Sequence, residues 1–283
     1  MPTFLIVGAT GQQGSAVVEA LRSRDNKSTK IRATTRNPAS PKAQQLASRG
    51  LDVRKADLRN QAALEEAMKG CDGAYFMTDF QGPAGIEGEV LQGKTLVGAA
   101  KAAGVPHIVF SLVAGAVEAT KVQQFRTKFL VEEYIRGADI PHTIVRPTGF
   151  MDVIPPEGFG RSIFPSALRA LVKNAPLGYV VCEDIGRVAG KSLLNPMQKG
   201  ERIYTICGDV LTPKQLKAQL NLAKIRKSWT IWLPAFLVSL VVPRLFMEMF
   251  DFLAEGKQPG SVEETKSIIP DVQGVAQWAI KHR

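Results

Sequence analysis

Three glycines, Gly8, Gly11 and Gly14, close an apolar run, Thr3-Phe4-Leu5-Ile6-Val7, and open an apolar stretch, Ala16-Val17-Val18-Glu19-Ala20-Leu21. A strand entering a helix through such a turn aims backbone N–H groups and the positive helix end at one point, which suits a phosphate. Gly8 permits the tight turn, Gly11 leaves room for a pyrophosphate, and Gly14 lets the helix lie close on the strand. Thr10, Gln12 and Gln13 fill the turn and are assigned to the same contact. The spacing is G-x-x-G-x-x-G rather than G-x-G-x-x-G. The competing reading is a tight βα turn without a ligand. The placement between strand and helix favours the phosphate.

The second strand, Lys30–Thr35, indicates which dinucleotide. A site for NAD places Asp or Glu at the end of this strand to hold the ribose hydroxyls. Here Arg36-Asn37-Pro38 follows, with Lys42 nearby. An arginine there pairs with a 2′-phosphate and stacks on adenine, which selects NADP(H). The alternative is a solvated surface charge.

The elements that position these groups alternate regularly. Helices are expected near 41–49, 61–69, 87–103 and 121–136, with strands at 51–54, 73–78, 107–111 and 142–146. This pattern predicts an α/β fold, a Rossmann-type doubly wound parallel sheet with helices on both faces. We expect the dinucleotide-binding domain over 1–150. A smaller C-terminal substrate lobe over 151–283 would be partly interleaved with the sheet. Ligands in such folds lie beyond the carboxyl ends of the strands. Asp57 and Leu58 then fall near adenine, and Thr78, Asp79 and Phe80 along the ribose and pyrophosphate path. Asp57 reads equally well as a turn residue.

Composition bounds the rest. The chain has 283 residues and a net charge of +10. The charge suits a polyanionic cofactor, and the basic residues form no nucleic-acid stripe or motif. The densest group, Lys214, Lys217, Lys224, Arg226 and Lys227, reads as a solvated helix face. Cys71, Cys182 and Cys207 lack metal-ligand spacing and read as reduced thiols of a cytoplasmic protein. With only His107, His142 and His282, no metal site is expected. No basic segment precedes the first strand, so no signal peptide is expected. The apolar run from Trp229 to Leu253 is interrupted by Pro234, Pro243 and Arg244. It reads as the wall of a hydrophobic pocket rather than a membrane span, its surplus covered by the sheet or a second subunit of a homodimer.

Gly8-Ala9-Thr10-Gly11-Gln12-Gln13-Gly14, Thr34-Thr35-Arg36-Asn37-Pro38, Ala56-Asp57-Leu58, Thr78-Asp79-Phe80 and Val145-Arg146-Pro147 together resemble the NmrA-like family. These are atypical short-chain dehydrogenase/reductases that include regulators and quinone reductases, with isoflavone reductases as relatives. The resemblance tips Asp57 toward the cofactor. It also places Phe150, in Thr148-Gly149-Phe150-Met151-Asp152, beside the nicotinamide ribose, with Val153 where relatives often carry Asn. Lys128 stands where the family has its lysine, and Gln124 stands where short-chain dehydrogenases have tyrosine. Three roles for Lys128 stay open: holding the ribose, serving as the catalytic acid/base, or pairing on the surface with Glu132, four residues on. Ser111, at the end of a strand, is a weaker catalytic candidate.

Two functions follow from the resemblance. One is an NADPH-dependent reductase of a hydrophobic carbonyl, quinone or enone, with substrate between the nicotinamide and a wall of Phe80, Phe150, Met151 and residues 229–250. The other is a non-catalytic NADP(H)-sensing regulator with a protein partner.

Overall fold

In the computed structural model, Phe4–Val7 of strand β1 (Thr3–Val7) are all buried. A strand covered by helices on both faces needs apolar residues on both, which is why it reads as a continuous run. The structure describes all residues except 25–28, 83–84, 156–157, 223–236, 239, 241, 259 and 283. After β1 come α1 (Gln12–Arg24), β2 (Lys30–Thr35), α2 (Pro41–Ser48), β3 (Asp52–Lys55), α3 (Gln61–Met68) and β4 (Gly73–Met77). Then follow α4 (Gly85–Ala102), β5 (Ile108–Ser111), α5 (Gln123–Arg136), β6 (His142–Pro147), α7 (Cys182–Leu194) and β9 (Glu201–Ile206). The strands join in the order β3-β2-β1-β4-β5-β6-β9. From β3 to β6 every pairing is parallel. The expected Rossmann-type sheet is therefore present, with element ends shifted by one or two residues.

The chain divides into two units. The first contains Met1–Leu112, Thr127–Arg146 and Cys182–Tyr204, and the second Val113–Arg126, Pro147–Val181 and Thr205–Arg283. The second has its own small sheet, β10 (Asp209–Leu211), β8 (Leu177–Val180) and β7 (Gly149–Phe150). Its helices include α6 (Gly158–Val172), α8 (Pro213–Leu222), α9 (Arg244–Ala254), α10 (Val262–Ile268) and α11 (Val275–Lys281). Phe125 and Phe252 meet edge to face at 5.9 Å in its core, beside Met151, Leu216 and Trp278. Of the apolar run from Trp229, residues 229–236 lie outside the described residues, as do Lys224, Arg226 and Lys227. No described helix is long and apolar enough to cross a membrane.

Within the first unit, α1 is seated by backbone contact on two sides. A Cβ on Gly14 would fall 2.2 Å from the Gly8 carbonyl oxygen. Across from it, a Cβ on Gly186 of α7 would fall 2.3 Å from the Ala16 carbonyl carbon, and Gly190 faces Ala20. Backbone cannot yield as a flexible side chain can. Gly186→Val should therefore destabilise the protein by about 2–3 kcal/mol in urea denaturation, near the upper end for overpacking. A loss under 0.5 kcal/mol would mean that this contact is slack.

His107 lies at the start of β5 with no exposure, its Nε2 3.1 Å from Thr143 Oγ1. Burial, with smaller contributions from Arg202 and His142, pushes its pKa down to about 4. The unfolded chain takes up this proton near 6.5, so stability is lost as pH falls from 6.5 toward 4. The slope reaches at most about 1.4 kcal/mol per pH unit for one proton. Denaturation of wild type and His107→Gln at several pH values should show the shallower slope in the variant. Parallel slopes would exclude His107 as the source.

Candidate functional site

The carboxyl ends of β1, β2, β3 and β4 open on a cavity of about 380 Å³ in the first unit. Its lining includes Gly8, Thr10, Gly11, Thr35, Arg36, Asn37, Asp57, Leu58, Arg59, Asp79, Gly82 and Gln92. Each strand end is held there by local chemistry. After β1, Gly8 takes φ +71°, which favours glycine, and the Gly11 N–H donates to the Gly8 carbonyl at 2.8 Å. After β2, Asn37 Oδ1 accepts from the Ala39 N–H, and Ser40 caps α2 with Pro41 at its first position. That short turn places Arg36 at the cavity; Lys42 is not among its lining.

After β3, Asp57 bends the chain by accepting from the Arg59 N–H at 2.9 Å. Asp57 also binds the Arg59 guanidinium through both oxygens, at 3.0 and 3.1 Å. This fork, then the backbone bond, and more weakly Arg36, hold the Asp57 carboxyl below its ordinary value. The turn reading of Asp57 therefore holds, and this turn residue also lines the cavity. The sequence reading missed Arg59, a second arginine lining the cavity with Arg36. Its signal was the Asp-x-Arg spacing after a strand.

After β4, two side chains of α4 anchor the loop. The Asp79 N–H donates to Gln92 Oε1 at 3.0 Å, and Gln92 Nε2 donates to the Asp79 carbonyl at 3.2 Å. One turn earlier, Glu89 is wholly buried. Its Oε1 accepts from Thr78 Oγ1 at 2.8 Å and lies 2.6 Å from Lys128 Nζ, while its Oε2 accepts from Thr127 Oγ1. Lys128 also donates to Thr78 Oγ1 at 2.8 Å and to the Thr78 carbonyl at 3.3 Å. The pairing of Lys128 with Glu132 is therefore corrected. Glu132 is 1% exposed and is taken by the Arg146 guanidinium, and the Lys128 side chain is only 12% exposed. Lys128 turns toward β4 and α4, not toward the next turn of α5. The signal for Glu89 was a charged residue in register with the buried stripe Gln92, Gly93, Leu96 and Ala100.

After β5, buried Ser111 donates to Gln13 Oε1 at 2.6 Å, and Tyr75 Oη donates to the same oxygen at 3.2 Å. Ser111 thus fixes a residue of the glycine turn. Gly14 is packed beneath that turn and Gln12 is exposed. Phe80 is not among the cavity lining, and Phe150 lies in β7 of the second unit. Also in the second unit, Gln124 is buried and donates to the Leu245 carbonyl at 3.3 Å.

This geometry can hold an extended, multiply charged ligand. A glycine turn at a helix N-terminus suits a phosphate, and Arg36, in the same lining, offers a cation for a second anion. Among the described residues no group of three His, Cys, Asp or Glu could bind a metal.

Comparison with known proteins agrees with this architecture. The NmrA-like oxidoreductase malD of Malbranchea aurantiaca is 33% identical over 168 residues, 56% of this chain and 50% of that protein. The match thus spans half the length of that relative. Quinone oxidoreductase 2 of Escherichia coli is 27% identical over 220 residues, 76% of this chain and 72% of the other. The solved triphenylmethane reductase of Citrobacter sp. superposes with a TM-score of 0.80 at 22% identity, covering 99% of this chain and 100% of that one. The profile of the NmrA-like family matches residues 2–228, and the chain belongs to that family.

Proposed function

We propose that the protein is an NADPH-dependent reductase of a hydrophobic carbonyl, quinone or enone. The carrying observation is the cavity that joins the Gly8–Gly11 turn to Arg36 and Arg59. It matches a pyrophosphate at one end and a 2′-phosphorylated ribose at the other. The bound cofactor supplies a hydride. Gly8, Thr10, Gly11, Gln12 and Gln13 form the pyrophosphate side, with Gly14 seating the helix beneath them, and Asp57, Leu58 and Asp79 line the rest, with Thr78 behind Asp79. Lys128 holds the nicotinamide ribose. Related oxidoreductases named for quinones and azo compounds support the reaction class. Cys71, Cys182 and Cys207 are buried and form no disulfide, which supports a reducing, cytoplasmic setting.

One result expected is that NADPH binds at least tenfold tighter than NADH by calorimetry, about 1.4 kcal/mol. Arg36→Ala should remove most of that preference, and Arg59→Gln should reduce it. Undiminished preference in Arg36→Ala would exclude the assignment.

A second result concerns turnover. NADPH oxidation should appear with at least one acceptor in a screen of quinones, enones and aromatic ketones. Lys128→Met should weaken NADPH binding and leave residual activity. Complete loss of turnover at unchanged affinity would make Lys128 the acid. Binding of NADPH with no acceptor reduced would favour the regulator, a reading that Gln124 in place of the tyrosine already supports.

A further inference from the structure

We infer that Glu89 is a positioning residue for the dinucleotide, acting through Lys128 and the Thr78–Asp79 loop. The inference rests on the reading that Lys128 holds the nicotinamide ribose. Three observations carry it.

First, Glu89 sits on the buried face of α4, where an apolar side chain would pack without desolvating a charge. Its carboxylate is instead satisfied by three groups from two other segments: Thr78 after β4, and Thr127 and Lys128 on α5.

Second, the Lys128 ammonium has three donors, and three oxygens lie within reach. They are Glu89 Oε1, Thr78 Oγ1 and the Thr78 carbonyl. The two short contacts, 2.6 Å to Glu89 Oε1 and 2.8 Å to Thr78 Oγ1, fix the head group at one place, and the donor on the 3.3 Å carbonyl contact is the one a ribose hydroxyl would take. Without the carboxylate, two Thr78 oxygens remain, one of them at 3.3 Å.

Third, the same helix face continues the task. Gln92, three residues on, brackets the Asp79 backbone from both sides, and Gln92 and Asp79 both line the cavity. The polar part of α4 is therefore aimed at the loop that faces the ligand. Glu89 touches neither cofactor nor substrate in this scheme, and it sets where Lys128 and Thr78 stand.

The test is a double-mutant cycle on the full chain, with NADPH as the probe in calorimetry. Glu89→Gln keeps the shape and an acceptor for Thr78 but removes the charge. We expect its NADPH Kd to rise at least tenfold. The KM for NADPH should follow, while kcat at saturation falls by no more than threefold. In the Lys128→Met background the same change should move Kd by less than twofold, because the residue through which it acts is gone. A purely structural role would lower Tm without this coupling.

A folded Glu89→Gln protein with unchanged Kd overturns the inference. So does a further fivefold loss in the Lys128→Met background, which would mean that Glu89 acts independently. A hundredfold loss of kcat at unchanged affinity overturns it in favour of a proton carrier. Should Glu89→Gln not fold, Glu89→Asp, which keeps the charge but shortens its reach to Lys128, takes its place, and a Kd within twofold of wild type in that variant overturns the inference. If Lys128→Met leaves Kd unchanged, the inference falls. The reductase reading does not fall with it, because that is judged on wild-type turnover in the acceptor screen.

Discussion

The site depends first on how closely α1 can approach its neighbours. Gly14 lets the first turn of α1 lie on the Gly8 carbonyl, and Gly186 lets α7 meet α1 at Ala16 without an intervening side chain. A helix seated by backbone has little freedom to slide, because protein interiors are close-packed and backbone atoms do not repack. Its N-terminus therefore points to a fixed place. Gln13 is locked there by Ser111 and Tyr75, so the ends of β4 and β5 register against the same turn. Such rigidity suits a turn proposed to bind an anion, since N–H groups stabilise a phosphate best when already oriented.

A second constraint lies in the buried carboxylate of Glu89. A charge without water is tolerated only when paired and hydrogen-bonded, and removing one partner typically costs about 3–5 kcal/mol. Glu89 therefore obliges β4, α4 and α5 to meet in one arrangement. Arg146 with Glu132 ties β6 to α5 in the same way. These pairs specify position more than they add stability. The Glu89 network, with Gln92, fixes the loop after β4.

The sequence made local features legible and long-range ones illegible. The glycine turn, the absence of an acid after β2, Arg36 and the alternation of strands with helices are written within a few residues of one another. The polar network is not. Lys128 and Thr78 are 50 residues apart, and Ser111 and Gln13 are 98 apart. Nothing in the neighbourhood of Lys128 points to Glu89, whereas Glu132 stands one helical turn away and offers an obvious pair. The fold decided between them because Arg146 on β6 claims Glu132. Arg59 was missed for the opposite reason. Asp57-Leu58-Arg59-Asn60 is such good turn chemistry that its charged side chain reads as incidental. In the fold, that same turn directs Arg59 to the cavity.

Under the reductase reading, the place of Gln124 bears on which acceptors are served. A carboxamide cannot give up a proton, and the Gln124 amide is engaged with the Leu245 carbonyl. A simple ketone that takes up a hydride becomes an alkoxide, far more basic than water tolerates, and needs an acid within reach. A quinone that takes up a hydride becomes a hydroquinone monoanion, a phenolate comparable to ionised tyrosine, whose conjugate acid lies near ~10. Such an anion is stable enough to leave the site and be protonated by water. Losing the tyrosine therefore costs least with acceptors that delocalise the incoming charge. Quinones and enones meet that condition, and aliphatic ketones do not.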